Sequence, residues 1–420
     1  MADSAATGDD ARGSGSAGGR AIPGQAVLIA LATFAFIAAT NILTPLLPLV
    51  RDDLGVSIST AGLIVGSYGL ARLAVDLPAG FLADRVGHRR LAVIAIVLLV
   101  GSSLVGWQAA GVEMLIASRL GSGAAVGILA MVGISALAAT ASSANRGRVM
   151  SLFHLANNTG IALYPLLGGF IGAAAGWRPT FLVTAVLAVV AGAILFALLP
   201  RIDFGHAAAG RPGRNDESRV LHGRTRTRAM IAANAGIVAN MIHRHGIRNT
   251  ILPLYAATAL GLGGISIATA IALMSVTGLI VATPGGMLGD RIGRRRVIVS
   301  GLTALAIGDL AFLLTGDLAT FLVVSALIGF GDFFTSSQTA LLSEIVPVAE
   351  RTRSLSTYRF SSDLGSMSGP ILLAAVMDGA GAPAAIVVAA AILASAALAA
   401  RVFIPARVDA AGASRAVAAA

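Results

Sequence analysis

The chain has 420 residues, of which 56% are hydrophobic and only 12% are charged, about half the charged fraction of a soluble domain. So few charges cannot cover a water-exposed surface, which excludes a soluble globular protein. The net charge is +10, but the basic residues are all arginines and lie at the ends of apolar runs, so nucleic acid is not a predicted partner. The absence of cysteine excludes a disulfide framework.

Apolar segments bounded by charged or turn residues predict twelve membrane-spanning helices. A helix crosses a bilayer with roughly 17–25 residues, and it satisfies its own backbone hydrogen bonds there. The predicted fold class is therefore an all-α polytopic membrane protein. In chain order the predicted spans are 24–50, 59–83, 90–110, 112–138, 148–174, 178–200, 229–256, 262–289, 297–316, 318–345, 352–377 and 383–404.

Polar segments divide the chain into two bundles of six spans. Residues 1–22 are predicted to be a disordered tail, because they lack the apolar core of a signal peptide. The stretch 201–228 is rich in Arg and Gly, which predicts a mobile linker between bundles at 23–200 and 229–405. A second tail is expected at 406–420.

The arginines predict the orientation in the membrane. The linker, both tails and the loops on the same side hold nearly all of them, whereas the loops on the other side hold only Arg51 and Arg178. Because basic residues are retained on the cytoplasmic side, both termini are expected to be cytoplasmic in a multi-pass cell-membrane protein.

The two halves repeat each other. A shift of 206 residues aligns Pro78, Gly80, Asp84, Arg85 and Gly87 with Pro284, Gly286, Asp290, Arg291 and Gly293. A shift of 205 aligns Arg146, Gly160 and Pro165 with Arg351, Gly365 and Pro370, and Pro48 with Pro253. Such duplication of a six-helix unit predicts two pseudo-symmetric bundles, a known transporter plan.

The repeated charged turn carries a family resemblance. GFLADRVGHRR begins at Gly80, and GGMLGDRIGRR has Gly286 in the equivalent place. Both copies resemble the signature of the major facilitator superfamily between spans 2 and 3. The resemblance implies a charged latch between the halves, formed by Gly80, Asp84, Arg85, Arg89, Gly286, Asp290 and Arg291. The alternative is that the arginines only anchor a loop on one side of the membrane.

Spans 4 and 5 each resemble a further motif of this family. LIASRLGSGAA places Arg119 where the resemblance implies a role in proton coupling, with Ser122 replacing the usual Gln. The alternative is an arginine that extends to the membrane interface. NNTGIALYPLLGGFIG resembles the antiporter motif, with Tyr164 replacing one Gly. Its matching residues, which ordinary helix packing would also explain, are Gly160, Pro165, Gly168 and Gly169.

Ionisable residues inside the spans are candidates for function, because they are costly in a membrane. Arg72 and Asp76 lie four residues apart in span 2 and are expected to pair; their counterparts are Gly278 and Ala282.

The proton-coupling candidates are Asp76, Asp332, Asp363 and Arg119. The substrate-cavity candidates are Arg72, Asn157, Asn158, His243, Arg244 and Arg248. Asp332 of span 10 and Asp363 of span 11 are the carboxylates expected to meet Arg244 and Arg248 of span 7, with a buried charge network as the alternative. Asp309 and Glu344 lie nearer span ends and are given no role.

These features predict a secondary active transporter and not an enzyme. The expected activity is proton-coupled efflux of a small amphipathic molecule by alternating access. The first alternative is a proton-coupled importer of a sugar or organic anion, and the second is a membrane receptor or assembly protein without transport. No P-loop occurs, so we expect no cofactor and the proton gradient as energy source. No metal site is expected, and the expected partners are a small-molecule substrate, protons and membrane lipid, with the protein acting as a monomer.

Overall fold

The computed structural model describes residues 22–142, 145–202, 204 and 220–406, and this part of the chain is helical almost throughout. We number its twelve long helices in chain order. The first six are α1 (Gly24–Leu54), α2 (Ile58–Val86), α3 (His88–Trp107), α4 (Val112–Thr140), α5 (Arg146–Ala175) and α6 (Pro179–Leu198). The others are α7 (223–260), α8 (Gly264–Ile292), α9 (Arg294–Ala311), α10 (Leu318–Glu344), α11 (351–380) and α12 (382–403).

Length and hydropathy support this assignment of membrane spans. Ten helical segments of the described chain are long and apolar enough to cross a membrane. One of these segments contains both α11 and α12, which are separated only by the non-helical backbone of Gly381. α7 is not among the ten, because charged residues interrupt it. The predicted all-α polytopic fold is confirmed.

Each half has its own hydrophobic core. One buried cluster is built from side chains of the first six helices, such as Phe36 and Leu129. Another is built almost entirely from the last six helices, with Phe321 and Leu393 among its members. Large apolar side chains such as Val97 also lie exposed on the outer surface, which lipid would cover. The chain is therefore two six-helix bundles placed side by side.

The second bundle begins earlier than the predicted boundary at 229. α7 starts at Gly223, so the last six residues of the predicted linker belong to this helix. Just before it, the buried Leu221 donates its backbone N–H to the carbonyl of Ile345, at 3.0 Å. Most of the predicted linker, and the predicted tails apart from Ile22 and Ala406, lie outside the described residues.

The first helix of each half is irregular at the same place. In α1 the regular helix ends at Phe36, and a short 3₁₀ turn occupies Thr44–Leu46. In α7 a π-helix occupies Ile242–Ile251. Pro45 and Pro253 have no N–H to donate to the preceding turn, so each removes one hydrogen bond that a regular helix would make in these stretches. Backbone carbonyl groups are therefore available to side chains at mid-membrane depth.

The two ends of the molecule differ in their arginine content. The arginine-rich end is the one where α2 joins α3, α4 joins α5, α8 joins α9 and α10 joins α11. The charged turns lie there, and Gly87 and Gly293 have φ values of 86° and 104°, which residues with a side chain rarely adopt. These two glycines let one helix end and the next begin within a single residue. We call the other end the opposite end.

The two halves contact each other closely towards the opposite end. A Cβ on Gly62 of α2 would collide with Ala374 and Pro370 of α11, and one on Gly169 of α5 would lie 2.6 Å from the Cβ of Ala268 in α8. At the end itself, the Ser59 hydroxyl donates to Asp378 at 2.7 Å. Small residues thus allow helices of different halves to touch backbone to backbone, and this end of the molecule is closed.

Candidate functional site: a central cavity and its charged clusters

A cavity lies between the halves, at the level of the irregular segments. Its first-half wall comes from α1, α2 and α4 and includes Tyr68 and Arg119. Its second-half wall comes from α7 and α11 and includes His245, Asn249 and Ser366. The enclosed volume is about 20 Å³, room for about one water molecule, so a substrate can enter only when the two walls move apart.

Arg119 is held against the irregular part of α1. Its Nη1 donates to the carbonyl oxygen of Ala39 at 2.8 Å, and its guanidinium lies 4.8 Å from the centre of the Tyr68 ring. The Tyr68 hydroxyl is in turn 2.6 Å from the hydroxyl of Thr40. Only 5% of Arg119 is exposed, so it does not extend to the membrane interface. It contributes a buried positive charge to the cavity wall.

Arg72 joins the two halves below the cavity. Its Nε lies 3.8 Å from Asp76 of the same helix, as the four-residue spacing predicts, and 3.4 Å from Asp363 of α11. The two carboxyl groups also contact each other. Arg72 and Asp363 lie one turn beyond the lining residues Gly69 and Ser366, towards the arginine-rich end. The Arg72–Asp76–Asp363 cluster therefore forms the floor of the cavity.

α4 makes room for this cluster. A Cβ on Gly127 would lie 2.9 Å from Oδ1 of Asp76, closer than a side chain normally approaches. The absence of a side chain at Gly127 thus allows Asp76 to stay beside Arg72.

A second cluster belongs to α7 and α10. Nη2 of Arg244 donates to Oδ2 of Asp332 at 3.1 Å, and Arg248, which is 5% exposed, is close enough to attract the same carboxylate. Of the two carboxylates expected near these arginines, Asp332 is the partner, whereas Asp363 pairs with Arg72 in the other half. A Cβ on Gly278, the counterpart of Arg72, would lie 3.5 Å from Asp332 Oδ2.

His243 faces away from the cavity, although it was a cavity candidate. Its Nδ1 lies 2.9 Å from a carboxylate oxygen of Asp309 in α9, and both residues are almost fully buried. The pair lies inside the second bundle, between α7 and α9. His243 is therefore placed to hold two helices together, and it does not line the cavity with His245 and Asn249.

Comparison with known proteins identifies the family. A model of the Major Facilitator Superfamily matches residues 29–243 and 237–419. The chain belongs to this superfamily. Members of it are membrane transporters of small molecules, not enzymes.

Two curated relatives are export or resistance proteins. The cephamycin export protein of Amycolatopsis lactamdurans is 29% identical over 69% of this chain, and the match spans about half of that relative, 55% of its length. The chloramphenicol resistance protein of Streptomyces lividans is 25% identical over 83% of this chain and 88% of that protein. Among solved structures, a peptide transporter POT in complex with sulfate aligns with a TM-score of 0.75 over 92% of this chain and 95% of that chain. At 17% sequence identity, the similarity to this structure concerns the fold alone.

The glycines of the antiporter-type motif pack α5 against two helices. A Cβ on Gly160 would collide with Ile37 of α1, and one on Gly168 would collide with the carbonyl of Ile42. Gly169 faces α8 of the other half. Pro165 is buried between these glycines, beside Tyr164, whose ring lies 5.0 Å from that of Phe34. The motif thus supports the irregular segment of α1 and the contact between the halves.

Asn157 and Asn158 are the other cavity candidates of α5. Both are partly buried, and they lie about one turn from Gly160. Neither is among the residues that line the central cavity.

The second charged turn connects helices of its own half. Arg294 Nη2 lies 2.5 Å from Asp290 and 3.3 Å from Glu344, so α8, α9 and α10 meet there. Gly286 accepts a bond from Arg294 through its carbonyl, and Arg291 is exposed. These contacts join helices of the second bundle, and the latch between the halves that the resemblance implies stays a prediction.

The first charged turn is only partly described. The guanidinium of Arg89 stacks over Phe196 of α6 at 4.3 Å, and Arg85 is exposed. Gly80 and Asp84, which complete the predicted latch, lie in the described part of α2, but the position of the Asp84 side chain is not described.

Several residues at the site were not singled out from the sequence. His245 and Asn249 line the cavity, and their four-residue spacing was a usable signal because it places them on one face. Tyr68 lies one turn from Arg72 in an otherwise apolar stretch. Asp309 and Glu344 had been given no role because of their position near span ends, yet both contact a basic residue.

Proposed function

We propose that this transporter exports a small amphipathic molecule and takes up protons in exchange. Two curated relatives are named for cephamycin export and chloramphenicol resistance, which supports the outward direction. The observation that carries the proton coupling is the Arg72–Asp76–Asp363 cluster, because it contains two carboxyl groups and joins the two halves beneath the cavity.

The cluster has the chemistry of a proton site. Two carboxylates that contact each other repel when both are ionised, and a single arginine compensates only one of them. A proton bound to either carboxyl group removes this repulsion. A proton on Asp363 would also weaken its attraction to Arg72, which is the contact between the halves.

This contact can couple protonation to movement. With Asp363 ionised, the Arg72–Asp363 pair holds α2 and α11 together at the floor of the cavity. With Asp363 protonated, the bridge is weaker and the halves are freer to rock. Asp332 is a weaker candidate for the proton, because Arg244 and Arg248 both stabilise its ionised form.

The test is transport in everted membrane vesicles that contain the protein. Uptake of a panel of cationic, neutral and anionic amphiphiles, with a cephamycin and chloramphenicol among them, is measured with a pH gradient imposed and then collapsed. We expect gradient-dependent accumulation by the wild type. Asp363→Asn should abolish it, since an amide cannot bind and release the proton.

A matched variant controls for the loss of a carboxylate. Asp52→Asn makes the same change at an exposed position near the opposite end and should transport normally. Accumulation that persists unchanged in Asp363→Asn and Asp76→Asn would contradict the proposed proton site. Accumulation that ignores the pH gradient in the wild type would contradict proton coupling altogether.

A proton-coupled importer of an organic anion is the second candidate. The observation in its favour is the positive charge around the cavity. A proton on Asp76 or Asp363 would raise that charge further, so an anion and a proton would bind together, as symport requires. Accumulation of labelled anion in intact cells, driven by an inward proton gradient, would favour this candidate over export.

The remaining assignments follow the same proposal. We propose a cell-membrane location with both termini cytoplasmic, because the arginine-rich end then faces the cytoplasm. The closed opposite end would face outward, and the cavity would load from inside. A single chain contains both halves and the cavity between them, so we propose a functional monomer.

A further inference from the structure

Arg119 is a buried charge without a carboxylate partner among the described residues. One of its guanidinium nitrogens donates to Ala39, while the buried Nε has no hydrogen-bond partner. The aromatic face of Tyr68 compensates only part of the charge. A cation left this way in a membrane protein is costly, and it indicates a ligand or a water-filled cavity. Arg119 lines the central cavity.

The facing wall offers further polar groups. Asn249 is 4% exposed, and its buried side-chain oxygen has no hydrogen-bond partner. An amide can rotate to present its NH₂ group instead, which donates to an anion. Nδ1 of His245 lies 3.3 Å from the carbonyl of Met241 and must donate to it, so Nε2 of the neutral ring can only accept a hydrogen bond and does not bind an anion. Arg119 and Asn249 thus offer donors to the same cavity from different halves.

The charges around the cavity do not balance. The carboxylates are Asp76, Asp332 and Asp363, and the arginines are Arg72, Arg119, Arg244 and Arg248. Each carboxylate already contacts or attracts an arginine other than Arg119. Arg359 of α11 adds one more positive charge near Asp363. The region therefore carries at least one positive charge that no described side chain neutralises.

We infer that the central cavity binds an amphipathic organic monoanion, with its charged group between Arg119 and Asn249. The apolar part of the ligand would contact the remaining lining residues, which include Leu43, Leu47, Ile64 and Val65. A carboxylate accepts two hydrogen bonds from a guanidinium and would supply the missing negative charge. A cation would be repelled by Arg119, and a neutral molecule would leave the charge of Arg119 uncompensated.

The inference rests on the proposed function in taking the cavity as the cargo site, and it narrows the substrate class. It also adds a driving force. A membrane potential that is negative inside pushes an anion outward, so export of a monoanion can draw on the potential as well as on protons.

The test measures binding, independently of transport, by calorimetry on purified protein in detergent. The probes are 1-naphthaleneacetate, its amide and 1-naphthylethylamine, which have nearly the same shape and differ in charge. We expect the carboxylate to bind about tenfold or more tightly than either other probe, the loss expected when a charge-assisted hydrogen bond is removed. Equal or tighter binding of the amine or the amide would overturn the inference. This comparison uses the wild type alone, so it does not depend on the folding of a variant.

Variants then locate the anion site. Arg119→Gln should weaken carboxylate binding about tenfold while leaving amide binding unchanged, and Arg119→Lys should restore part of the loss. Arg224→Gln removes one positive charge from an exposed position of α7 and should bind like the wild type. Carboxylate binding that stays at the wild-type level in Arg119→Gln would refute Arg119 as the anion-binding group. If Arg119→Gln does not fold, carboxylate binding is measured instead in Asn249→Leu, on the facing wall. Binding at the wild-type level in that variant would refute the anion site.

The outcomes separate this inference from the proposed function. Gradient-driven export of a cation, without carboxylate binding, would refute the anion site and leave proton-coupled export standing. Selective carboxylate binding, without any gradient-driven transport, would support the anion site and refute the proposed function.

Discussion

Helix α1 loses its regular hydrogen bonding between residues 37 and 46, and 205 residues later α7 forms a π-helix over Ile242–Ile251. The backbone is irregular at equivalent places, but the side chains differ. α7 has His243, Arg244, His245, Arg248 and Asn249 where α1 has Ala38, Ala39, Thr40, Leu43 and Thr44. The first half instead carries its charges on α2, at Arg72 and Asp76, where α8 has Gly278 and Ala282.

This difference distinguishes positions that shape the backbone from positions that carry charge. Positions that shape the backbone are kept in both halves, because both bundles must pack and move in the same way. Gly123 meets the carbonyl of Tyr68, and Gly329, its counterpart, meets the carbonyl of Met274. The charges are not repeated, because a single cavity needs them only once. Arg119 itself has Ser325 as its counterpart.

The largest expected effect concerns the movement that the two halves share. Ser59→Cys combined with Asp378→Cys should form a disulfide, because the two side chains are in hydrogen-bond contact at the opposite end. The disulfide would hold this end closed and should block transport completely. Rates are measured in vesicles before and after oxidation, and again after adding a reductant.

The chain has no native cysteine, so the background of this experiment is clean. Each single-cysteine variant serves as a control and should transport with and without oxidant. Full transport by the cross-linked protein would show that the halves do not separate at this end.

The next effect tests whether His243 supports the second bundle or the cavity. Asp309→Ala leaves His243 buried without its partner, which should cost about 3–5 kcal/mol of unfolding free energy. The double variant His243→Leu with Asp309→Leu removes both polar groups and should recover much of that loss. Unfolding by a denaturing detergent in mixed micelles measures both. If the double variant is as unstable as Asp309→Ala, or is stable but no longer binds substrate, the structural role of His243 is refuted.

A smaller effect compares two glycines that face carboxylates. Gly127→Ala places a methyl group 2.9 Å from Asp76 and should displace it from Arg72, at a cost of about 1–3 kcal/mol. Gly278→Ala places its methyl group at an ordinary contact distance from Asp332 and should be tolerated. Proton-driven transport by the two variants is compared at equal expression. Equal rates would show that the position of Asp76 does not limit transport.

The smallest effect concerns helix ends. α10 begins after Asp317, whose carboxylate accepts the backbone N–H of Thr320 at 2.8 Å, whereas α4 begins after Gly111 without a side-chain cap. Hydrogen bonds from Thr320 lower the pKa of Asp317 below its ordinary value. The cap therefore stabilises the fold above the unfolded pKa of about 3.9, and this contribution is lost as pH falls through the lower folded pKa.

Asp317→Ala should slightly lower the melting temperature at pH 7 and make no difference at a pH below the folded pKa of Asp317. Thermal unfolding at the two pH values checks this, with Asp52→Ala as an exposed control. A deficit of the same size at both pH values would show that the ionised carboxylate does not act as the cap.

The sequence anticipated part of the site, and the reasons are specific. The Arg72–Asp76 pair follows from four-residue spacing on one helix, and Arg244 needed a carboxylate that only a few residues could supply. The contact between Arg72 and Asp363 was not predictable in this way, because it joins helices of different halves. His243 was proposed for the cavity because polar residues are dense in span 7, and its contact with Asp309 joins α7 to α9, which no local pattern shows. Arg119 bonds to a carbonyl oxygen that is available only because α1 is irregular.

Composition and repetition alone determined the membrane class, the twelve spans and the duplication into two bundles. Apolar run length and glycine or proline placement act locally along the chain, so a sequence displays them directly. The pairing of charges, the closed end and the lining of the cavity depend on which helix faces meet across the interface of the two halves. That choice is made by packing among distant helices, and only the tertiary structure shows that Arg119 lines a cavity and donates to the carbonyl of Ala39.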